Sequence, residues 1–129
     1  MILDHIGLGV DDYEKAKAFY AAALAPLGIK LLSDEPQSDP RFRAASFGES
    51  WDEARFWIGS EGATKPALHV AFRAGSRADV DAFYKAAIAA GGRDNGSPGL
   101  RPHYQPNYYA AFVFDPDGHN IEAVCLKPE

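Results

Sequence analysis

The amino-acid sequence repeats itself once, at an offset of 64 positions, and this repeat limits the fold more than any other feature. The aligned positions carry a histidine, an aromatic pair and a glycine: His5 with His69, Phe19-Tyr20 with Phe83-Tyr84, and Gly28 with Gly92. Residue types this different, matched in one frame, indicate two homologous modules. We therefore predict a single domain over residues 1–129 that is made of two modules, about 1–60 and 66–127.

Each module opens with a stretch in which bulky apolar residues alternate with small or polar ones. In residues 2–10, Ile6 and Leu8 alternate with His5, and residues 67–73 repeat the pattern around His69. Period-two alternation is typical of a β-strand whose two faces meet different surroundings. Both histidines are thus predicted among small neighbours, opposite a face that packs against a helix.

A helical pattern follows each first strand, and three strands follow each helix. Asp11 with Glu14, and Ser76 with Asp79, resemble capping boxes at the helix starts. The candidate strands are residues 29–33, 43–47 and 54–59, then a weak one near Arg93, 109–115 and 120–126. The order predicts an α+β fold of two paired βαβββ modules, with a curved mixed sheet around a shared cleft and helices on the outer face. Residues 34–42 and 95–108 are expected to be loops.

Composition and charge narrow the classes of function. No apolar run approaches the roughly 20 residues of a membrane span, and residues 1–4 lack the basic region of a signal peptide. The single cysteine, Cys125, cannot form an internal disulfide, which favours the cytoplasm. A net charge of −5 without a Lys/Arg cluster makes nucleic acids and membranes poor partners. A small-molecule substrate remains open.

Glu122, on the last predicted strand, is a candidate metal ligand together with His5 and His69. If the three side chains share one face, two imidazoles and a carboxylate converge, a donor set that suits Zn²⁺, Fe²⁺, Mn²⁺ or Ni²⁺. Three protein ligands leave open positions for substrate or water. The pattern alone also fits two strand histidines satisfied by hydrogen bonds and a glutamate on an exposed terminal strand.

The expected loop at residues 95–108 concentrates aromatic and charged side chains that suit a lid over a ligand. Tyr104 and Tyr108 can stack on a planar ligand, and Arg101 can hold a carboxylate or phosphate. His103 and Tyr104 are the predicted proton-handling groups, if they swing over the cleft. The alternative is a proline-stiffened loop whose tyrosines cover hydrophobic surface.

Two further polar residues are assigned structural roles. His119 lies in the turn between the last two predicted strands and is expected to be solvated there. Cys125 is expected to point toward the helix with Ile121, as a buried structural sulfur rather than a nucleophile.

The sequence resembles the vicinal oxygen chelate superfamily, which includes glyoxalase I, extradiol dioxygenases, fosfomycin-resistance thiol transferases and bleomycin-resistance proteins. The resemblance rests on the paired modules, the histidine on the first strand of each, and the segment Asp115-Pro116-Asp117-Gly118-His119-Asn120-Ile121-Glu122. In metal-dependent relatives the two first-strand histidines and the glutamate after this turn are ligands, and they match His5, His69 and Glu122. The resemblance thus implies a divalent metal ion (Zn, Fe, Mn or Ni) and is compatible with a homodimer, because members commonly pair modules across chains.

The sequence departs from glyoxalase I at one ligand position. Those enzymes have a fourth ligand, Glu or Gln, on the last strand of the first module, where this chain has Trp57, whose indole N–H only donates. The resemblance therefore implies a two-histidine, one-carboxylate site. We expect a glyoxalase- or dioxygenase-like metal-dependent enzyme acting on a small oxygen-chelating substrate that contacts Trp57, Arg101 and Tyr108. The alternative is a metal-free small-molecule binding protein of the bleomycin-resistance type.

Overall fold

The structure, a computed structural model, describes residues 2–129 and contains two four-stranded β-sheets and two α-helices. The first module contains β1 (Ile6–Gly9), α1 (Tyr13–Leu24), β2 (Lys30–Pro36), β3 (Arg43–Gly48) and β4 (Ala54–Gly59). The second contains β5 (His69–Arg73), α2 (Arg77–Ala89), β6 (Arg93–Leu100), β7 (Tyr109–Phe114) and β8 (Asn120–Cys125). Neither helix in residues 2–129 has the length and apolar character of a membrane span.

The two sheets have the same topology. Their strand orders are β1-β4-β3-β2 and β5-β8-β7-β6, and in each sheet the first strand of the module runs parallel to the last while the other pairs are antiparallel. The predicted α+β fold of two paired βαβββ modules is confirmed. In both sheets the strand that opens the module therefore lies at an edge.

The strand bounds differ most from prediction in β1, β2 and β6. β1 begins only at Ile6, so His5 precedes the strand. β2 continues to Pro36 and β6 to Leu100, so both expected loops are shorter than predicted. β6 was hard to recognise because two bulges, on either side of Gly96, interrupt its pairing with β7. Pro98 is tolerated there because β6 is an edge strand and Pro98 lies in the bulge between Gly96 and Gly99, opposite no residue of β7.

The helix caps confirm one prediction and correct the other. Ser76 caps α2 by accepting the Asp79 N–H at 3.1 Å, as predicted. The predicted capping role of Asp11 is wrong, because Asp12 accepts the Lys15 N–H at 3.1 Å and caps α1. The Asp11 carboxylate instead accepts the Ala63 N–H at 2.8 Å, so it anchors the loop that contains Ala63.

One hydrophobic core joins the two modules. Each helix packs on the apolar face of its own sheet, the two helices contact each other, and the rings of Phe56 and Phe72 meet across the modules at 5.3 Å. The Tyr20 hydroxyl in α1 donates to the buried carboxylate of Asp115 in the second module. Burial of Cys125 in this core is confirmed.

His119 is buried, so the expectation that it is solvated is wrong. Asp115 accepts the N–H groups of Asp117 and His119, each at 2.9 Å, and this folds the turn inward. The His119 Nδ1 accepts the Leu68 N–H at 2.9 Å, and its ring is fully covered. The histidine therefore connects Leu68, just before β5, to the turn between β7 and β8.

Candidate metal centre and adjoining cleft

The second sheet brings two of the predicted metal ligands together. Strand β8 runs beside β5 with Glu122 opposite Ala71, so the glutamate and His69 emerge on the same face. The His69 Nε2 lies 2.8 Å from the Glu122 Oε1. The imidazole is about half exposed, whereas only 1% of the surface of Glu122 is accessible.

Tyr108 holds the second oxygen of this carboxylate. Its hydroxyl donates to the Glu122 Oε2. Burial, followed by the hydrogen bond to Glu122, raises the pKa of Tyr108 to about 12, so the phenol is a neutral donor at physiological pH. Tyr108 was predicted as a substrate contact. Its contact with Glu122 was not predicted, because this contact depends on how the loop folds.

The Glu122 site fits a divalent cation in its charge and donor set. Within residues 2–129, no lysine or arginine lies within 4 Å of this carboxylate, which is compensated only by an imidazole and a phenol. A buried carboxylate without a cationic partner is costly, and metal coordination is one of the ways in which proteins compensate it. Imidazole nitrogen and carboxylate oxygen suit several first-row metals.

The loop at residues 101–108, predicted as a lid, has a row of aromatic side chains that reaches Glu122 through Tyr108. The rings of His103 and Tyr104 are 4.2 Å apart, and that of Tyr104 lies 5.0 Å from the ring of Tyr108. The loop is closed at its base by the Arg101 N–H, which donates to the Tyr108 carbonyl at 2.7 Å. Tyr104 remains largely exposed.

The guanidinium of Arg101 supports the bulged end of β6. It donates to the carbonyls of Ser97 and Gly99 at 2.9 and 2.8 Å, and it lies 5.4 Å from the ring centre of Phe112. Phe112 in turn flanks the His69 ring at 6.2 Å. The Arg101 guanidinium therefore supports Phe112, which borders the site beside His69. Two of its N–H groups already donate to backbone carbonyls.

His5 lies on the first module and does not join the other two ligands within the chain. Its Nδ1 lies 2.8 Å from the Asp4 Oδ1, and its ring meets Trp57 edge-on at 6.4 Å. In the described part of the chain, no three His, Cys, Asp or Glu side chains are grouped to hold a metal ion. Trp57 pairs with Gly7 as Glu122 pairs with Ala71, so the structure places the indole at the position equivalent to the carboxylate.

A cavity of about 560 Å³ lies on the first sheet next to Trp57, and we call it the first-module cleft. Its floor includes Gly7, Gly9 and Gly59, and its walls include Trp51, Trp57, Glu35, Gln37 and Glu61. Trp57 was predicted as a substrate contact, and the structure places it in the wall of this cleft. Glu35 was not singled out from the sequence, because it belongs to no periodic pattern.

Comparison with known proteins identifies the family. The sequence model of the Glyoxalase/Bleomycin resistance protein/Dioxygenase superfamily matches residues 2–123, and the chain belongs to this superfamily. No match was found among curated proteins.

Two solved structures illustrate the likeness. A glyoxalase/bleomycin resistance protein from Albidiferax ferrireducens is 29% identical, with 99% of this chain and 100% of that chain covered and a TM-score of 0.75. A glyoxalase I mutant from Zea mays is 26% identical, with 94% of this chain covered and a TM-score of 0.70. This chain spans 45% of the maize protein, so it corresponds to about half of that enzyme.

Proposed function

We propose that this protein is a divalent-metal-dependent enzyme that acts on a small substrate through two neighbouring oxygen atoms, with His5, His69 and Glu122 as metal ligands. The observation that carries the proposal is the buried carboxylate of Glu122, which faces the His69 Nε2 at 2.8 Å and has no lysine or arginine beside it within residues 2–129. Family membership supports it, because the superfamily includes glyoxalases and dioxygenases. With Cys125 as its one cysteine, we propose that it acts in the cytoplasm.

We further propose that two copies of the chain share each site, so that His5 of one copy completes the His69–Glu122 pair of the other. The strands next to these histidines, β1 and β5, both lie at sheet edges, where backbone groups are free to meet another chain. Ile2 and Leu3, which precede His5, are exposed apolar residues that a second copy would cover. Two-fold symmetry would then generate two identical sites in a homodimer.

The residues around the proposed site have distinct roles. A bound divalent ion would supply Lewis-acid polarisation of the substrate oxygens. Tyr108 orients Glu122 by donating to its second oxygen, as partners of metal ligands commonly do. His103, whose ring lies 4.2 Å from that of Tyr104, is proposed to move a proton at the lid, while Tyr104 and Trp57 contact the substrate and Arg101 supports the wall of the site through its contact with Phe112.

Metal content tests the ligand set. The wild type and the variants His5→Ala, His69→Ala and Glu122→Gln are reconstituted with Fe²⁺, Mn²⁺, Zn²⁺ and Ni²⁺ and then analysed for bound metal. We expect near-stoichiometric metal in the wild type and its loss in all three variants, with His103→Ala and Glu14→Gln as controls that retain it. A wild type that holds no metal under any condition contradicts the proposal and favours a metal-free binding protein.

Mixing two variants tests whether two copies build the site. His5→Ala and Glu122→Gln proteins are unfolded together, refolded and reconstituted. In a heterodimer one site then has all three native ligands, so random pairing restores about a quarter of the wild-type metal. Refolding each variant alone gives the baseline. If the mixture holds no more metal than that baseline, the ligands do not come from two copies.

A further inference from the structure

We propose that His119 is a positioning residue for the metal site: its imidazole fixes the start of strand β5 and thereby holds the His69 side chain opposite Glu122. The inference deepens the proposed function, on which it rests for the metal ion itself. His69 is the first residue of β5, which lies at the edge of its sheet beside β8. Strand ends at a sheet edge open more readily than strands inside a sheet, so a ligand at this point needs additional support.

The residue before His69 is bound on both sides by the last hairpin. The Leu68 N–H donates to the His119 Nδ1 at 2.9 Å, and the Leu68 carbonyl accepts the Asn120 N–H at 2.8 Å. Strand β8 begins only at Asn120, and before this point the imidazole takes the place of a backbone acceptor in the parallel ladder. The same register places His69 beside Asn120 and thus on the face that carries Glu122.

The first module provides an internal comparison, because it lacks such an imidazole. Counted along the paired strands, Ala54 in the first module occupies the position of His119 in the second. Alanine has no side-chain acceptor. Strand β1 correspondingly begins one residue later than β5, so His5 precedes its strand, whereas His69 is the first residue of β5. The module with the imidazole is therefore the one whose first histidine is held in the sheet.

Packing alone does not explain a histidine at position 119. Its side chain is fully buried, and its Nε2 has no hydrogen-bond partner within residues 2–129. A leucine would fill similar space without leaving a buried polar atom unpaired, which costs free energy. Because Nδ1 accepts the Leu68 N–H, the proton of the neutral ring lies on Nε2. The acceptor at Nδ1 is therefore the property of this ring that the site uses.

The turn that carries His119 is itself anchored to the rest of the molecule. Asp115 accepts the His119 N–H at 2.9 Å, and the Asp115 N–H donates to the His119 carbonyl at 3.0 Å. The second oxygen of this carboxylate accepts from the Tyr20 hydroxyl of α1. The imidazole is thus fixed by the core before a metal ion arrives, which lowers the cost of ordering His69 on binding.

Two variants of His119 separate hydrogen bonding from packing. His119→Asn keeps an acceptor, since its Oδ1 lies as many bonds from Cα as Nδ1 does, but it leaves space in the core. His119→Leu fills more of that space and has no acceptor. We expect His119→Leu to weaken metal affinity about 10- to 100-fold, and His119→Asn to retain it, as measured by competition with a chelator. Retained affinity in His119→Leu, or equal loss in both variants, would overturn the inference.

A third variant shows what a loss of stability does by itself. Val80 is fully buried in α2, so Val80→Ala leaves a cavity in the core. Chemical denaturation measures the stability of all three variants. We expect Val80→Ala to lower stability and to keep the metal affinity of the wild type. If Val80→Ala weakens metal binding as much as His119→Leu does, general destabilisation explains the effect and the inference is wrong.

Nuclear magnetic resonance of the metal-free protein gives a result that does not depend on the ion. We expect the His119 proton on Nε2, and contacts between the rings of His69 and Phe112, whose centres lie 6.2 Å apart. These contacts should persist in His119→Asn and weaken in His119→Leu. A proton on the His119 Nδ1, or unchanged contacts in His119→Leu, would contradict the inference. If the wild type holds no metal while these spectra are as expected, the proposed function fails and the positioning of His69 stands.

Discussion

At the scale of single residues, Tyr108 links the lid to the carboxylate at the proposed metal site. We predict that Tyr108→Phe weakens metal affinity about 10- to 100-fold, because it removes the donor that orients Glu122. Competition with a chelator measures this affinity. Tyr109→Phe is the matched control, since its hydroxyl donates to Asp81, away from the site. Unchanged affinity in Tyr108→Phe would show that the hydroxyl does not orient the ligand.

The residues of the site differ in how far the sequence could predict them. The sequence singled out His69 and Glu122 as candidate ligands, but whether they share a face depended on the register of β5 and β8, which pairs Ala71 with Glu122. The contact of Tyr108 with Glu122 was not predictable, because it requires the backbone of Arg101 to close the lid at its base. The burial of His119 was missed because a turn with two aspartates is usually solvated. Here Asp115 instead binds the turn's own N–H groups and draws the ring inward.

At the scale of elements, strand β1 carries two glycines with different roles. A Cβ at Gly9 would lie 2.0 Å from the Gly62 carbonyl oxygen, a clash with backbone, whereas the nearest atom to a Cβ at Gly7 is 3.7 Å away. We predict that Gly9→Ala lowers the free energy of unfolding by about 2 kcal/mol, and that Gly7→Ala changes it little. Chemical denaturation measures both. Equal stability of the two variants would mean that the loop at Gly62 moves away without cost.

Helix α1 is tied to strands β2 and β3 through Asp34. The carboxylate accepts from the Lys17 Nζ and the Tyr13 hydroxyl at 2.6 Å each, and from Arg43 at 3.2 Å. The hydrogen bond from Lys17, followed by that from Tyr13, lowers the pKa of Asp34 to about 2. Because the folded state holds this proton more weakly than the unfolded state, the stabilisation is complete above about pH 4 and is lost as the pH falls toward 2.

Acid unfolding of an Asp34 variant tests this link. We predict that Asp34→Asn costs about 1 kcal/mol near neutral pH, less than the full pKa shift implies because the side chain is a quarter exposed. The cost should shrink as the pH falls from 4 toward 2, where the native carboxyl becomes protonated as well. Denaturant unfolding at several pH values measures it, with Glu49→Gln as a control. A cost that does not change with pH would mean that packing, rather than charge, stabilises this contact.

The elements themselves were largely predictable, and the exceptions have physical causes. β4 has the predicted bounds, since its alternation is regular and a short 3₁₀ helix, Trp51–Glu53, precedes it. β6 was underestimated because bulges at Gly96 hide its alternation. The choice between Asp11 and Asp12 as the cap of α1 depends on a loop at Ala63, about 50 residues away, which a local pattern does not contain.

At the scale of the whole molecule, the two modules share one core and therefore should unfold together. Tyr20 crosses between them by donating to Asp115, and both residues are buried. We predict that Tyr20→Phe lowers the free energy of unfolding by about 1–3 kcal/mol, because a buried carboxylate loses a donor. The transition should remain single. Tyr84→Phe, which removes a more exposed contact with Asp94, is the control and should cost less. Equal losses of stability in the two variants would show that the Tyr20–Asp115 contact contributes no more than the more exposed Tyr84–Asp94 contact.

The repeat predicted the pairing of modules, but their arrangement within the chain follows from packing. The apolar faces and helices of both halves are buried together, and this leaves His5 and the His69–Glu122 pair on separate sheets. Period-two alternation specifies which face of a strand is apolar. It does not specify which sheets meet, because that depends on how two complete modules cover each other's surface.

The equivalence of Trp57 and Glu122 has a consequence for how this protein can change over evolutionary time. One ancestral position now exists twice in the chain, as an aromatic wall in one half and as a carboxylate in the other. Mutations at position 57 can therefore reshape the wall of the first-module cleft while the carboxylate at position 122 is inherited unchanged, and the reverse holds as well. Duplication has given this chain two surfaces on which selection can act independently.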